Sequence, residues 1–209
     1  MTTLAIPVAA VALAVLAAGC GSSKQSAGST VSATTTSSSV TTQQTTPGPG
    51  ALQAEAKSAA TGDIPDNQAF VSFADAKGGF TMKYPEGWAQ SGAGRQVVIR
   101  DKNNIIRVVI SSGSLPSASA VSAAVHSLPG AQIVAQPQRV KLPSGPAVKV
   151  VYSTKSAPNP VTGKRVTLVV DRYYLARSSG KEATVDLGTP QGVDNVDAYR
   201  LMIDSFRWR

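Results

Sequence analysis

Cysteine and histidine are almost missing from this chain: Cys20 and His126 are the only examples in 209 residues. A single cysteine forbids an internal disulfide, and one cysteine with one histidine cannot assemble a Cys/His zinc site. No metal or cofactor is expected. Charged residues are also sparse, at 15% of the chain, and no basic run is longer than Lys164-Arg165. The net charge of +8 is therefore scattered, which does not make a nucleic-acid footprint. Aromatics make up 5% of the residues, so the core must be mainly aliphatic. The apolar run over residues 4–18 is shorter than the roughly 20 residues that a spanning helix needs.

The motifs of common enzyme classes are missing as well. His126 is the one imidazole available to a Ser-His-Asp arrangement, and no Gly-x-Ser-x-Gly elbow is present. Gly92-Ala93-Gly94 lacks the third glycine of a dinucleotide loop, and no Gly-Lys-Ser/Thr phosphate loop occurs. Asp194 and Asp197 are three residues apart, but helix capping and the positive field of a helix N-terminus account for them. The chain is expected not to be an enzyme.

What is present begins at the N-terminus. The apolar run leads into Leu16-Ala17-Ala18-Gly19-Cys20, two small residues before a lone cysteine. That is the pattern of a bacterial lipobox, in which the thiol takes diacylglycerol and cleavage leaves Cys20 as the first residue. Two departures stand beside it: Met1-Thr2-Thr3 carries no Lys or Arg, and Ala17 occupies the place where leucine is usual. The reading assigns 1–19 to a lipoprotein signal peptide. It places the mature chain on the extracytoplasmic face of the cell membrane, held by two acyl chains, enough for stable attachment.

Residues 20–62 are then the lipidated Cys20 and a Ser/Thr-rich tether ending in Pro47-Gly48-Pro49-Gly50 and an Ala-rich stretch. Large apolar side chains are too few there to offset the entropy of ordering the backbone, so disorder is expected. Residues 63–209 are long enough for one domain with its own core.

Within that domain, apolar and polar residues alternate over 70–73 and 80–84, and a hairpin is expected from 97–101 and 105–111 around Lys102-Asn103-Asn104. Ser117 caps an expected helix over 117–128, with Val121, Val125 and Leu128 on one face. Long strands follow at 133–142, 147–154 and 165–177, and another at 181–187. A final amphipathic helix over 194–206 carries the stripe Val196, Tyr199, Ile203 and Phe206. In 165–177, Val166, Leu168, Val170 and Tyr174 share one parity, and Val169, Tyr173 and Leu175 share the other. That predicts an inner strand covered on both faces, with Val166, Leu168, Val169, Val170 and Leu175 among the most buried residues. Short connections make the sheet mainly antiparallel. The expected fold is α+β, a three-layer α/β/α sandwich around a central, mainly antiparallel sheet.

The segment Phe80-Thr81-Met82-Lys83-Tyr84-Pro85-Glu86-Gly87-Trp88 resembles the entry motif of PsbP-like domains, which are grouped with the Mog-like Ran-binding proteins. The closing Tyr199-Arg200-Leu201-Met202-Ile203-Asp204-Ser205-Phe206-Arg207 is similar to that family's terminal helix and its Ser-Phe end. The plan of lipobox, tether and domain resembles actinobacterial lipoproteins of the LpqN type. The resemblance implies the α/β/α fold and a non-enzymatic, accessory role on a membrane complex. It carries over no metal ligand.

Four basic residues on strands, Arg107, Lys149, Arg165 and Arg172, form a candidate binding surface, weighed against ordinary pairing with acids such as Asp171 or Asp101. The expected function is a membrane-anchored envelope lipoprotein that serves as an accessory or interaction module. Its expected partners are the membrane, through diacylglycerol on Cys20, and an envelope or membrane protein. The alternative is a small-ligand or lipid carrier at the membrane surface.

Overall fold

Strand-forming alternation dominates the computed structural model, which describes residues 61–159, 161 and 163–209. Cys20, the signal sequence and the tether through residue 60 lie outside the described residues. The elements run β1 (Phe70–Asp75), β2 (Phe80–Pro85), β3 (Ala89–Ala93), β4 (Gln96–Asp101), β5 (Asn104–Ser112), α1 (Ala118–His126), β6 (Gln132–Leu142), β7 (Gly145–Lys155), β8 (Thr167–Arg177), β9 (Lys181–Pro190), α2 (Val196–Asp204) and β10 (Arg207–Trp208).

Seven strands form one antiparallel sheet in the order β3-β4-β5-β9-β8-β7-β6. All neighbours except β5 and β9 follow one another directly in the chain, as antiparallel pairing permits. After β5 the chain passes through α1 to β6 at the far edge and returns through β7 and β8 to set β9 beside β5. The first hairpin does not join this sheet. β1, β2 and β10 pair with one another as a separate three-stranded sheet. The expectation of a mainly antiparallel sheet with two helices holds, but sheet dominates, and β3 and β10 were not expected. β3 reads Ala89-Gln90-Ser91-Gly92-Ala93 and is exposed throughout, so no apolar alternation announces it. β10 is only Arg207–Trp208.

The period-2 pattern sends side chains to two cores. On one face Val97, Ile99, Ile106, Val108, Tyr173, Leu175, Ala183, Val185 and Leu187 meet α2 and the small sheet. On the other, Val148, Val150, Tyr152, Leu168, Val170 and Tyr174 meet Val121 and Val125 of α1. β8 is thus buried on both faces, as its two parities require, and Leu168 is 7% exposed. Val166 and Val169 are only partly buried, a correction, because β8 begins at Thr167 and both lie near its open end. Ser117 caps α1, accepting from the Ala120 N–H at 3.2 Å.

The α2 stripe needs one correction. Tyr199, Met202, Ile203 and Phe206 are buried, spaced i, i+3, i+4, i+7, but Val196 is 71% exposed. It is the first residue of the helix, one turn before the buried part of the stripe begins at Tyr199.

The Tyr-Pro-x-Gly-Trp motif has a local cause. Gly87 sits at φ 88°, a left-handed value that disfavours other residues, and the Trp88 N–H points back to the Pro85 carbonyl at 3.4 Å. The turn folds Trp88 into the core beside Phe80 and Met82. Gly92 is also obligatory: a Cβ there would lie 2.3 Å from the Gln96 carbonyl oxygen.

Asp75 ties the small sheet to the large one. Its carboxylate accepts from the N–H groups of Lys77 and Gly78, each at 2.9 Å, and of Gly94 in the β3–β4 turn at 2.5 Å. Desolvation pushes its pKa up, but the N–H donors of Gly78, Gly94 and Lys77, with the nearby Lys77 charge, outweigh it. The net value lies below the ordinary 3.8. A depressed carboxyl stabilises the fold above the unfolded value and loses that contribution as pH falls through the folded one. Asp75→Asn should therefore cost about 1–3 kcal/mol at neutral pH. Urea titrations should also show a shallower stability loss below pH 3.8 than in the unsubstituted protein. An unchanged acid limb would contradict this role.

Candidate functional site

β6, β7 and β8 extend beyond the cover that α2 provides, and the uncovered part forms a groove of about 750 Å³. One wall is α2, with Val196, Tyr199, Arg200, Ile203 and Asp204. The other is sheet, with Gln138, Val140 and Leu142 of β6, Lys149 of β7, and Asp171 and Tyr173 of β8. The strand pleat explains this grouping. Gln138 pairs with Lys149 and Val140 with Ala147, so these side chains share one face with Tyr173, which lies opposite Lys149.

Lys149 Nζ lies 2.6 Å from Asp171 Oδ2 and 5.3 Å from the centre of the Tyr173 ring. Partial burial disfavours the Lys149 ammonium, but the hydrogen bond and charge of Asp171 outweigh it and hold the pKa above the ordinary 10.5. Burial raises the Tyr173 phenol, against the opposing Lys149 charge. The Tyr199 phenol is pushed up by burial. Thr189 and Asn195 lie near enough to oppose this, yet the hydroxyl makes no hydrogen bond of proper geometry. The groove thus has an aliphatic and aromatic floor, with charges of both signs on its walls.

The four basic strand residues do not gather into one surface. Lys149 lies in the groove. Arg107 and Arg172 lie on the opposite face, either side of Asp186, the residue opposite both in register. Arg172 Nε and Nη2 donate to the two Asp186 oxygens at 2.5 and 2.9 Å, and Arg107 Nε and Nη2 donate to Oδ2 at 3.0 and 2.6 Å. Arg172 also donates to the Tyr152 hydroxyl at 3.1 Å, and its guanidinium carbon lies 5.0 Å from that ring's centre. Desolvation opposes the Arg172 charge, but Asp186 outweighs it and its pKa rises. Tyr152 is pushed up to about 12, chiefly by burial and then by Asp186. Arg165 lies apart, exposed before β8, donating to the Ser156 carbonyl at 2.7 Å. His126 is exposed in the last turn of α1.

Asp186 was not foreseen. An acid set between the apolar Val185 and Leu187 in the middle of a strand was the signal available, since such a charge demands a cation across the ladder. The α2 wall is held at Asn195, which with Asp194 was one of two expected caps of this helix and stands at the N-cap position, its side chain bonded elsewhere than to the helix. Asn195 accepts from the Ile64 N–H at 2.8 Å, and its amide donates to the Gly62 carbonyl at 3.0 Å and to Thr189 Oγ1 at 2.9 Å. Asn104 donates to the same Gly62 carbonyl at 2.6 Å. This buried network fixes the start of the domain against the N-terminus of α2, at one end of the groove.

Among the described residues, no group of three His, Cys, Asp or Glu side chains is arranged to hold a metal ion. No helix of those residues is long and apolar enough to cross a membrane. No family model matches the chain, and no curated protein matches it in sequence. Among solved structures, a protein of Bacteroides thetaiotaomicron is similar at TM-score 0.41 and 12% identity, over 66% of this chain and 48% of its own length. The Saccharomyces cerevisiae Ran-binding protein Mog1p is similar at TM-score 0.44 and 11% identity, over 67% of this chain and 95% of its own.

Proposed function

We propose that the protein is an envelope lipoprotein of the PsbP-like, Mog-like type, whose domain is a non-catalytic module docking a protein partner in the groove between α2 and β6–β8. Diacylglycerol on Cys20 anchors the chain at the extracytoplasmic face of the membrane, and the residues between it and the domain, which the Gly62 carbonyl already joins, act as a spacer. The finer α/β/α description belongs to this reading: α1 covers one face of the seven-stranded sheet, and α2 with the small sheet covers the other.

The observation that carries the reading is the groove. It is open and combines Val140, Leu142, Ile203 and Tyr173 with Lys149, Asp171, Arg200 and Asp204. Apolar anchors beside charges of both signs are what a polypeptide segment meets at an interface. A lipid chain calls for a largely apolar enclosure instead, and the two apolar cores are filled by their own side chains.

Two measurements test the proposal. Cys20→Ala should abolish acylation and shift the protein out of the membrane fraction; unchanged mass and fractionation would remove the anchor. Crosslinking in intact cells followed by pull-down should recover an envelope or membrane protein. Reproducible lipid in native mass spectra, with no protein captured, would favour a carrier instead.

A further inference from the structure

β6 is the last strand of the seven-stranded sheet, so its outer edge has no ladder partner among the described residues. Its first half is irregular: the register with β7 shifts between Ile133 and Ala135 and again between Ala135 and Gln138, around Pro137. Its second half is regular, with Gln138, Arg139, Val140, Lys141 and Leu142 each opposite one β7 residue. Five residues of regular edge are enough to template an added strand, the geometry of β-augmentation.

The two faces of this edge differ. By strand parity Gln138, Val140 and Leu142 lie on the groove face and Arg139 and Lys141 on the other, opposite Val148 and Pro146 of β7, and Lys141, at the sheet edge, also lines part of the groove. Both cations are exposed, and neither takes part in a salt bridge among the described residues. Resting on the docking groove proposed above, we propose that the partner contributes an extended segment that pairs with Gln138–Leu142 as an eighth strand. Its apolar side chains alternate into the groove, and its acidic side chains alternate against Arg139 and Lys141.

Cross-strand pairing selects this occupant. Opposite charges directly across a ladder stabilise it, and like charges oppose it. A second copy of the chain is the obvious rival. Two-fold antiparallel pairing centred on Val140 sets Arg139 against Lys141 of the other copy, and centring on Arg139 or Lys141 sets each against itself. These three registers place cation against cation, and registers centred on Gln138 or Leu142 carry the pairing out of the regular stretch into the irregular first half of β6 or the turn after it. An edge that carries Lys and Arg thus rejects its own copies while leaving an acidic strand admissible.

The test uses the full chain in its own membrane, with a photo-crosslinking residue at Gln138 or at Val196 on the α2 wall, and sequencing of the captured segment. The expected segment comes from another protein and bears Asp or Glu at alternate positions. Its yield from Gln138 should fall at least tenfold in the Arg139→Glu/Lys141→Glu variant, which should keep its melting temperature because both sites are exposed. Capture of a second copy, a segment without that alternation, or a yield indifferent to charge reversal would overturn the proposal. Capture from Val196 but not from Gln138 would overturn the added strand and leave the groove standing. Capture from neither would remove both.

Discussion

Asp186→Ala is expected to remove about 3–5 kcal/mol of stability, a large part of the roughly 5–15 kcal/mol that holds a domain together. Asp186 is buried, and four guanidinium hydrogen bonds converge on it. Without it, Arg172 is left buried and charged with only the Tyr152 hydroxyl for company. Arg107 has an escape, since its side chain is 36% exposed and can turn to water. The cost should therefore follow Arg172, and replacing both members by apolar residues, as in Asp186→Leu/Arg172→Met, should restore most of it. Urea denaturation of the three proteins checks this. A single-variant loss below about 1 kcal/mol would show that the cluster is solvated and not a buried counter-ion pair.

Phe206→Ala is expected to cost a similar 3–5 kcal/mol, through a cavity and not through charge. Phe206 is fully buried just beyond α2, stacked on Phe80 at 5.5 Å and 10°, with Trp208 edge-on at 5.3 Å. It links the helix, the small sheet and the main core in one contact, so its loss should loosen α2 and with it one wall of the groove. Hydrogen exchange should report this locally: the amides of Tyr199, Met202 and Ile203 should lose protection before those of β8 and β9. Uniform loss across both elements would mean that α2 is not separately dependent on Phe206.

The main sheet was legible in the sequence because its strands are buried on one or both faces, so apolar alternation marks them. β8 shows this most directly, its two parities mapping onto two cores. The signal fails where burial fails. β3 is exposed at all five positions and carries no pattern. Val196 continues the helical period of the α2 stripe, but periodicity gives a direction and says nothing of whether anything packs there.

The candidate site was less legible for a related reason. Arg107, Lys149, Arg165 and Arg172 stood out because charge on a strand is costly, yet pleat parity divides them. Lys149 faces the groove, Arg107 and Arg172 face away, and Arg165 precedes the strand. The groove itself is made by where α2 stops covering β6–β8, a matter of tertiary placement that no local pattern encodes. The Tyr-Pro-Glu-Gly-Trp turn is the opposite case, since Gly87 at φ 88° makes its motif a local backbone requirement.

Docking in the groove is the claim on which the functional reading rests, and site-specific crosslinking in intact cells tests it most directly. A photo-crosslinking residue at Val196, on the groove wall, is compared with one at Ala123, exposed on α1 over the opposite face of the sheet. The account predicts a discrete adduct with one envelope protein from Val196 and none from Ala123. Equal capture from both positions, or capture from Ala123 alone, would contradict it.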